Sequence, residues 1–278
     1  MRIWHQSFTV LEQLPAYAAR LQEHFRKVAR PDTEVVMHGM HPKTYRTNYP
    51  GTDIKHNYMQ YLHGQQFVLS GIAAEEAGFD AYAIMSIPEP ALRETRSLID
   101  IPVVGYGESS MLVARMLGER MGALIFIEGM TPVIAENARR VGLESKFAGA
   151  RFVGFTFDDV LKAYEEPSSL LEHFHTAARA LIKDGVDVII PGEAPLCALL
   201  MKHGISRVDN APVVDALGAT VKMAESMVDL RRSSGLAPAR GGYFTDTPPR
   251  ERIKELIELY GMTHLWPETG SAWQPVGV

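Results

Sequence analysis

The sequence predicts an α/β protein in which helices cover parallel β-sheets and two similar halves face each other across a cleft. Short apolar runs alternate with amphipathic stretches, which is the pattern of a parallel sheet flanked by helices. An internal repeat is the second observation: the segment 78–86 (Gly, apolar, Asp, then an apolar run) recurs as 185–193. Counted from each glycine, Ser86 and Glu193 occupy the same position, so the two halves would present a hydroxyl and a carboxylate to one cleft.

Each strand is predicted where a short apolar run stands between turn signals. The predicted strands are 2–8, 34–38, 81–86, 103–106, 123–127, 152–155, 186–191 and 213–214. Each helix is predicted where apolar residues recur at helical spacing. The predicted helices are 11–28, 57–77, 90–99, 109–120, 132–141, 168–183, 194–203, 217–232 and 249–260. The Gly- and Pro-containing stretches 233–247 and beyond 261 are predicted to be irregular. We predict that 1–104 with 216–278 form one lobe and 105–215 the other.

The composition is that of an ordinary globular protein and excludes several classes of function. The formal net charge of -5 argues against a surface for nucleic acids or anionic membranes. No apolar run approaches the roughly 18 residues of a membrane span, and the first residues lack the apolar stretch of a signal peptide. The single cysteine, Cys197, excludes an internal disulfide. We therefore expect a cytoplasmic protein whose partner is a small-molecule substrate, not a nucleic acid or a membrane.

Glu193 is the strongest candidate for a chemical role. It follows a predicted strand and Gly192, and it precedes a helix predicted to begin at Ala194. A carboxylate at this point lies at the positive end of the helix, where it is either held ionised or desolvated with a raised pKa. Both states suit a general base or acid. The alternative is an acid that only caps the helix, but the repeat favours the functional interpretation.

Ser86 ends its predicted strand next to Ile87 and Pro88. A serine in such apolar surroundings can donate a hydrogen bond to a developing anion, or act as a nucleophile with Glu193 or a histidine as its base. We place the donor role first. The alternative is a cap for the helix predicted to begin at Pro90.

The segment 105–110, Gly-Tyr-Gly-Glu-Ser-Ser, joins a predicted strand to a helix. It lacks the spacing of a dinucleotide fingerprint and contains no P-loop lysine. Its backbone N–H groups, with Glu108, Ser109 and Ser110, are predicted to bind a carboxylate or carbonyl of the substrate. The alternative is a capped tight turn. Three further residues at strand ends are predicted to contact the substrate: Gln6, Ser7 and Gly192.

The connection 39–55 is long for an α/β protein, and long loops in compact domains are often lids or binding loops. It leaves the carboxyl edge of the sheet, where open parallel sheets bind ligands. His38 and His41 stand at its start, and one of them is predicted to act as an acid, a base or a substrate contact. Two histidines and a carboxylate would also suit zinc, but no third ligand follows at diagnostic spacing, so the metal signal is weak and a site at His38, His41 and Glu193 stays an open alternative. Tyr45 and Tyr49 of the same loop could close over a ligand.

With these residues in view, the chain resembles the aspartate/glutamate/hydantoin racemase superfamily, and most closely its hydantoin and allantoin racemase branch. The resemblance spans nearly the whole chain. Asp-Ile-Pro-Val-Val-Gly-Tyr-Gly-Glu at 100–108 resembles the family's motif before its central helix, and residues 212–215 with 221–225 resemble its C-terminal motif. The resemblance implies two Rossmann-like lobes related by pseudo-twofold symmetry, each with a four-stranded parallel sheet, and a site in the cleft between them. It also implies that no cofactor is needed and that the protein is a homo-oligomer.

The chain departs from the resemblance at the two equivalent strand ends. Typical members place a cysteine at each, one removing the α-proton and the other returning a proton on the opposite face. Here those positions hold Ser86 and Glu193. A serine hydroxyl is a far poorer proton acceptor than a cysteine, whose pKa is about 8.5. Two-base racemisation would therefore lose at least one base.

Residues and resemblance together predict a cofactor-independent enzyme that acts on a small cyclic amide, lactone or carboxylate. We favour hydrolysis or other one-base chemistry, with Glu193 as the general base and Ser86 holding the oxyanion. One alternative is a hydantoin or amino-acid racemase that uses Glu193 and a histidine, His38 or His41. Another is a non-catalytic relative that binds a small ligand in the same cleft.

Overall fold

The computed structural model describes residues 1–47, 49–266, 273, 275 and 276, and its framework is two parallel β-sheets. The first sheet has the strand order β2-β1-β3-β4 and the second β6-β5-β7. A single parallel bridge joins Ile189 of β7 to Val213. Val213 therefore lies beside β7 in the second sheet, in the position that β4 takes beside β3 in the first. A short antiparallel pair, β8-β9, completes the set. The strands are β1 Arg2–Gln6, β2 Glu34–His38, β3 Ala81–Ile84, β4 Val103–Gly105, β5 Met121–Ile125, β6 Phe147–Phe152, β7 Val188–Pro191, β8 Arg207–Val208 and β9 Ala211–Pro212.

Eleven α-helices connect these strands in the described part of the chain. They are α1 Pro15–Val28, α2 Gly51–Ile54, α3 Asn57–Glu76, α4 Leu92–Leu98, α5 Tyr106–Leu117, α6 Thr131–Arg140, α7 Phe157–Lys162, α8 Ser168–Lys183, α9 Ala194–Lys202, α10 Ala216–Ser234 and α11 Arg250–Leu259. Three short 3₁₀ helices cover Leu11–Gln13, Glu144–Lys146 and Thr263–Leu265. Of these helices, none has the length and apolar character that crossing a bilayer requires.

The predicted α/β class, with parallel sheets flanked by helices, is confirmed. β3, β5 and β7 are buried along their whole lengths, as expected of parallel strands covered on both faces. α10 packs on β3, β4 and α5, so residues after 216 return to the first sheet. The exact division into lobes at 104, 105, 215 and 216 stays a prediction.

Several predicted elements differ from the structure. The strand predicted at 152–155 is instead β6, which begins five residues earlier, because its Phe-Ala-Gly-Ala-Arg-Phe sequence carries no strong apolar run and is only partly buried. The strand predicted at 213–214 is reduced to the single bridge at Val213. α7 was not predicted, although Thr156 and Asp159 form a capping box that marks its start. α2 and the β8-β9 pair are too short for periodicity to reveal.

The sequence repeat has a structural cause in both sheets. Asp80 accepts a hydrogen bond from the backbone N–H of Arg2 at 2.7 Å, and its own N–H donates to the carbonyl of Arg2 at 2.8 Å. Asp187 does the same at the start of β5, where it accepts from the N–H of Arg120 at 2.8 Å and donates to the carbonyl of Arg120 at 2.9 Å. Each aspartate therefore fixes the start of the central strand of its own sheet.

The glycines that open the two copies have a conformational role. Gly78 has φ +72 and Gly185 has φ +89, and each ends the turn that leads from a helix into the repeat's strand. L-residues with a side chain pay for this left-handed conformation. No atom lies within 4 Å of the Cβ that an alanine would add at either position, so strain and not crowding would decide the outcome.

We expect Gly185→Ala to lower the free energy of unfolding by about 1–2 kcal/mol because of this backbone strain. Gly64→Ala is the matched control: Gly64 lies inside α3, and its added Cβ would make an ordinary 3.5 Å contact with Ala91. Alanine is the better helix former, so the control should stabilise the protein by up to about 1 kcal/mol. Urea unfolding monitored by circular dichroism measures both, and equal effects of one sign would contradict the argument.

Candidate functional site

Strand ends of both sheets surround one small cavity, with a volume of about 50 Å³. Residues that follow β1 and β3 form one wall, and residues that follow β5 and β7 form the other. Ser86 and Glu193 both line this cavity, so the two equivalent positions of the repeat share one space. Most of the remaining wall is apolar. The lining residues are Ser7, Phe8, Thr9, Tyr17, Tyr49, Pro50, Ile54, Met85, Ser86, Ile87, Pro88, Phe126, Ile127, Met130, Phe157, Glu193, Ala194 and Pro195.

The Glu193 carboxylate is held by backbone donors of the second sheet. It accepts hydrogen bonds from the N–H of Phe126 at 3.1 Å and from the N–H of Ile127 at 2.9 Å. The residue is 6% exposed and does not cap α9 with its side chain. Burial raises the pKa of Glu193 to about 8, and the two N–H donors only partly offset that effect. The group can therefore exchange a proton near neutral pH.

Gly192 makes the approach of Glu193 to β5 possible. A Cβ at this position would lie 2.5 Å from Cγ2 of Ile125 and 2.9 Å from the carbonyl oxygen of Leu124. The Gly192 N–H instead donates to that carbonyl at 2.7 Å. Gly192 is not part of the cavity lining and serves backbone packing in the structure, while its predicted substrate contact stays a prediction.

Ser86 begins a tight turn on the opposite wall. Its carbonyl accepts a hydrogen bond from the N–H of Glu89 at 3.1 Å, and its hydroxyl has no hydrogen-bond partner among the described residues. The alternative that Ser86 caps a helix does not hold, because α4 begins at Leu92 and has no side-chain cap. The hydroxyl is therefore available to a molecule in the cavity.

The predicted anion site at 105–110 is occupied by the protein's own carboxylate. Glu89 is 4% exposed and accepts a hydrogen bond from the N–H of Glu108 at 2.7 Å. Burial raises the pKa of Glu89 to about 8. A Cβ on Gly105 would lie 2.1 Å from Oε1 of Glu89, and one on Gly107 would lie 3.2 Å from its Cδ. The Gly-Tyr-Gly sequence thus serves the close approach of a buried side chain.

The other polar residues of this segment also have structural partners or stand away from the cavity. The Glu108 carboxylate pairs with Arg96, and the Ser110 hydroxyl donates to the carbonyl of Gly107 at 2.9 Å. The Ser109 hydroxyl is buried and has no partner in the described chain. None of the three lines the cavity, so the structure does not support their predicted contacts with substrate.

The histidines predicted as acids or bases lie elsewhere. His38 stacks on Trp4 with ring centroids 3.4 Å apart, and burial lowers its pKa to about 3, so the ring is neutral. The Nδ1 of His41 lies 2.7 Å from the carbonyl of Pro42, and its ring faces His264. Neither ring lines the cavity. Within the described residues, no three side chains of His, Cys, Asp or Glu are grouped to hold a metal ion.

Of the three other residues predicted to contact the substrate, Ser7 lines the cavity, and Gln6 and Tyr45 do not. Ser7 lines the cavity, and its hydroxyl is hydrogen-bonded to that of Thr9 at 2.8 Å. Gln6 is fully buried and uses its amide to bind the carbonyls of Ser7 and Gly39, so it positions the loop after β2. The Tyr45 hydroxyl donates to the carbonyl of Phe8 at 2.7 Å and stays outside the lining.

Sequence reasoning found only one aromatic residue of the site. Tyr49, which the sequence suggested could close over a ligand, lines the cavity and stacks on Phe157 with ring centroids 5.7 Å apart. Phe157 in turn lies 6.0 Å from Phe126, centroid to centroid. Thr9 was also missed, although it stands two residues beyond Ser7 at the same strand end. The capping box at Thr156 was the one local pattern that could have located Phe157.

Comparisons with known proteins agree with this architecture. The Asp/Glu/Hydantoin racemase family model matches residues 15–224. The chain belongs to the Asp/Glu/hydantoin racemase family. The hydantoin racemase of Pseudomonas sp. (strain NS671) is 27% identical over 214 residues, covering 76% of this chain and 81% of the relative. The hydantoin racemase of Rhizobium meliloti is 27% identical over 158 residues, covering 55% of this chain and 62% of the relative.

Solved structures from the racemase family share the fold. The allantoin racemase of Pseudomonas fluorescens superposes with a TM-score of 0.72 at 25% identity, over 90% of this chain and 98% of that one. The allantoin racemase from Klebsiella pneumoniae gives a TM-score of 0.72 at 24% identity, over 90% and 95%. The resemblance inferred from the sequence is therefore confirmed at the level of the racemase family, and the chain is a racemase-family enzyme. Its single cysteine, Cys197, is buried and does not line the cavity.

Replacing Gly105 by alanine should destabilise the protein more than replacing Gly107. Both have ordinary backbone angles, so crowding against Glu89 decides the effect. We expect Gly105→Ala to cost about 1–3 kcal/mol of stability, the usual range for overpacking, and to disturb the turn that carries Ser86. Gly107→Ala, whose Cβ contacts are 3.2 Å or longer, should cost less. Urea unfolding of the two variants tests the order, and a reversed order would contradict the packing described.

Buried Glu193 should make stability depend on pH. Between its ordinary pKa of 4.5 and its folded value of about 8, the folded protein binds more protons than the unfolded chain. The free energy of unfolding contributed by this group therefore falls as pH rises through that window. Glu193→Gln removes this titration while Glu89 stays common to both proteins. We expect the variant to gain stability over the wild type between pH 5 and pH 8, as measured by urea unfolding at several pH values.

Proposed function

We propose that this protein removes the proton from the carbon next to a carbonyl in a small cyclic amide of the hydantoin type, with Glu193 as the base. The observation that carries the proposal is the position of the Glu193 carboxylate, buried at the wall of an apolar cavity with a pKa of about 8. A carboxylate of ordinary pKa is a weak base for a carbon acid. Raising its pKa toward the working pH gives more driving force for proton transfer.

The apolar wall supports carbon deprotonation over reactions that need bound water. Phe8, Phe126 and Phe157 surround the space in front of the carboxylate, and little polar surface competes with it. A dry site strengthens the attraction between fixed donors and a developing anion. An enolate formed from a hydantoin ring carries its charge on a carbonyl oxygen, so the site needs a hydrogen-bond donor there.

Ser86 is the donor that we assign to this oxygen. Its hydroxyl has no partner among the described residues and faces the cavity that Glu193 lines. A serine hydroxyl does not act as a base at neutral pH, but it stabilises an oxyanion well. The hydroxyls of Ser7 and Thr9, hydrogen-bonded to each other at 2.8 Å, line the same wall and would hold a second polar group of the ring.

The substrate class rests on the relatives and on the small cavity. The relatives described above carry the names hydantoin racemase and allantoin racemase, and both names refer to compact rings with adjacent N–H and carbonyl groups. The cavity is small, which favours a compact ring over an extended molecule. We therefore propose 5-substituted hydantoins and allantoin as the first compounds to test.

Ring-opening hydrolysis is the second candidate. The observation in its favour is that only one of the two equivalent strand ends carries a group able to act as a base, since the other holds Ser86. Glu193 would then activate a water molecule, and Ser86 would hold the tetrahedral oxyanion. The two reactions are distinguished by their products: deprotonation exchanges a carbon-bound proton for solvent deuterium, whereas hydrolysis consumes the ring.

Both assigned residues should be needed for full activity, and the loss of Glu193 should cost more than the loss of Ser86. We expect Glu193→Gln to lower the rate of deuterium exchange at C5 of 5-isopropylhydantoin by about 10²–10⁴-fold, the usual contribution of a general base. Ser86→Ala should lower it by about 10²–10³-fold, as loss of an oxyanion donor does. The exposed Glu165→Gln is the matched control and should leave the rate unchanged. Proton NMR in deuterium oxide follows the exchange directly.

The pH dependence adds an independent check on the base. Because the carboxylate must be ionised to accept a proton, kcat/KM should rise with pH and level off above about 8, the pKa of Glu193 in the free protein. Full exchange activity in the Glu193→Gln variant would rule out the proposed base. Ring-opened product without C5 exchange would instead favour the hydrolytic alternative.

A further inference from the structure

We propose that Tyr49 is the second proton-transferring residue of this site and that its phenol hydroxyl returns a proton to the carbon from which Glu193 has removed one. The inference rests on the proposed function, because it concerns the same carbon acid. It supplies what the two strand ends lack, since the Ser86 hydroxyl is assigned to the enolate oxygen and does not act as a base at neutral pH. It also places a loop residue, instead of a second strand-end residue, in the proton-transfer chemistry.

The position of the Tyr49 ring is the first support. Tyr49 belongs to the connection between β2 and α2 of the first sheet, yet its ring stacks on Phe157 at the start of α7, with an interplanar angle of 23°. Phe157 packs near Phe126, whose N–H holds the Glu193 carboxylate. The ring therefore reaches from the loop after β2 to Phe157, and it lines the space that a substrate would enter.

The hydroxyl end of the Tyr49 ring packs against the backbone of Gly51. A Cβ on Gly51 would lie 2.2 Å from Cζ and 2.3 Å from Oη of Tyr49, so the phenol rests directly on the glycine backbone. Gly51 has no left-handed backbone angle that would demand glycine there. The three atoms nearest to such a Cβ all belong to the Tyr49 side chain, so an alanine at this position would displace the phenol.

The electrostatic surroundings suit a proton donor. The Tyr49 hydroxyl has no hydrogen-bond partner among the described residues. Burial, and next the charge of Glu193, raise the pKa of Tyr49, so the phenol stays protonated while Glu193 is ionised. This is the pair of protonation states that a reaction begun by Glu193 requires.

Tyr17 is the other phenol of the cavity lining, and it fits the role less well. It is 1% exposed, and its ring stacks against Tyr164 deep in the protein. A phenol that gives up its proton must recover one from solvent in every cycle. Tyr49 is only half-buried and meets that need, whereas Tyr17 is sealed from bulk water.

The protons transferred in this reaction balance without a further reactant. The C5–H bond of the ring breaks, its proton goes to a carboxylate oxygen of Glu193, and the electron pair delocalises onto the adjacent carbonyl oxygen. The O–H bond of Tyr49 then breaks as a new C5–H bond forms. Solvent afterwards returns a proton to the phenolate and takes one from the Glu193 carboxyl group, which restores both residues.

The test separates exchange from inversion. Each enantiomer of 5-isopropylhydantoin is incubated with the enzyme in deuterium oxide, with exchange followed by NMR and inversion by chiral chromatography. For Tyr49→Phe we expect inversion to fall by at least about 100-fold. Exchange of the enantiomer that Glu193 deprotonates should persist within about threefold, because Glu193 still removes its proton and returns a deuteron to the same face. Tyr58→Phe, which alters an exposed tyrosine outside the cavity, should leave both rates unchanged.

Two further variants test position and identity. Gly51→Ala keeps the phenol but displaces it, so it should also lower inversion more than exchange. Tyr17→Phe should not separate the two rates. If Tyr49→Phe inverts substrate at the wild-type rate, or loses exchange and inversion equally, Tyr49 is not the second proton-transferring residue. A wild-type protein that exchanges no C5 proton overturns this inference and the proposed function together, whereas exchange in the wild type with normal inversion in Tyr49→Phe overturns this inference alone.

Discussion

The hydrogen bonds from two backbone N–H groups to the Glu193 carboxylate are the interaction on which the candidate site depends. Desolvation alone would drive this carboxyl group toward its neutral form, and free access of water would leave it an ordinary weak base. The N–H groups of Phe126 and Ile127 hold it between these limits, so that burial still raises its pKa to about 8. The glycine at 192 is what permits this contact, because its missing side chain lets the turn after β7 lie against β5.

Each sheet has a buried carboxylate that accepts hydrogen bonds from backbone N–H groups, Glu89 in the first and Glu193 in the second, but the two serve different purposes. Glu89 accepts the N–H of Glu108 beyond β4 and has a similarly raised pKa, yet it fastens the turn after Ser86 to the start of α5. The sheets also share their strand order and the aspartate that fixes the start of the central strand. What differs is the residue placed at the end of β3 and β7, and this difference makes the cavity chemically one-sided.

The sequence predicted the framework and the central pair of the candidate site, Ser86 and Glu193, for identifiable reasons. Buried strands such as β3 and β7 show as apolar runs, and the repeat aligns Ser86 with Glu193, which the structure places at one cavity. The predicted residues that do not line the cavity share a physical cause: a polar residue near a strand end can turn to the cavity or to a local backbone partner, as His38 does. Neither periodicity nor spacing encodes that choice. The contact between Tyr49 and Phe157 joins residues more than a hundred positions apart and leaves no local pattern.

A cavity with a base on only one wall needs a different source for the proton that returns to the substrate. Two like groups on opposite walls treat the two faces of a planar enolate alike, whereas a carboxylate and an alcohol do not, because only the carboxylate titrates near neutral pH. If the carboxylate starts the reaction, the returning proton must come from an acid that is protonated at the same pH and can be recharged by water. Among the groups that line this cavity, the half-buried phenol of the loop after β2 meets both conditions. The loop then contributes chemistry as well as cover, and its phenol lies against the backbone of Gly51.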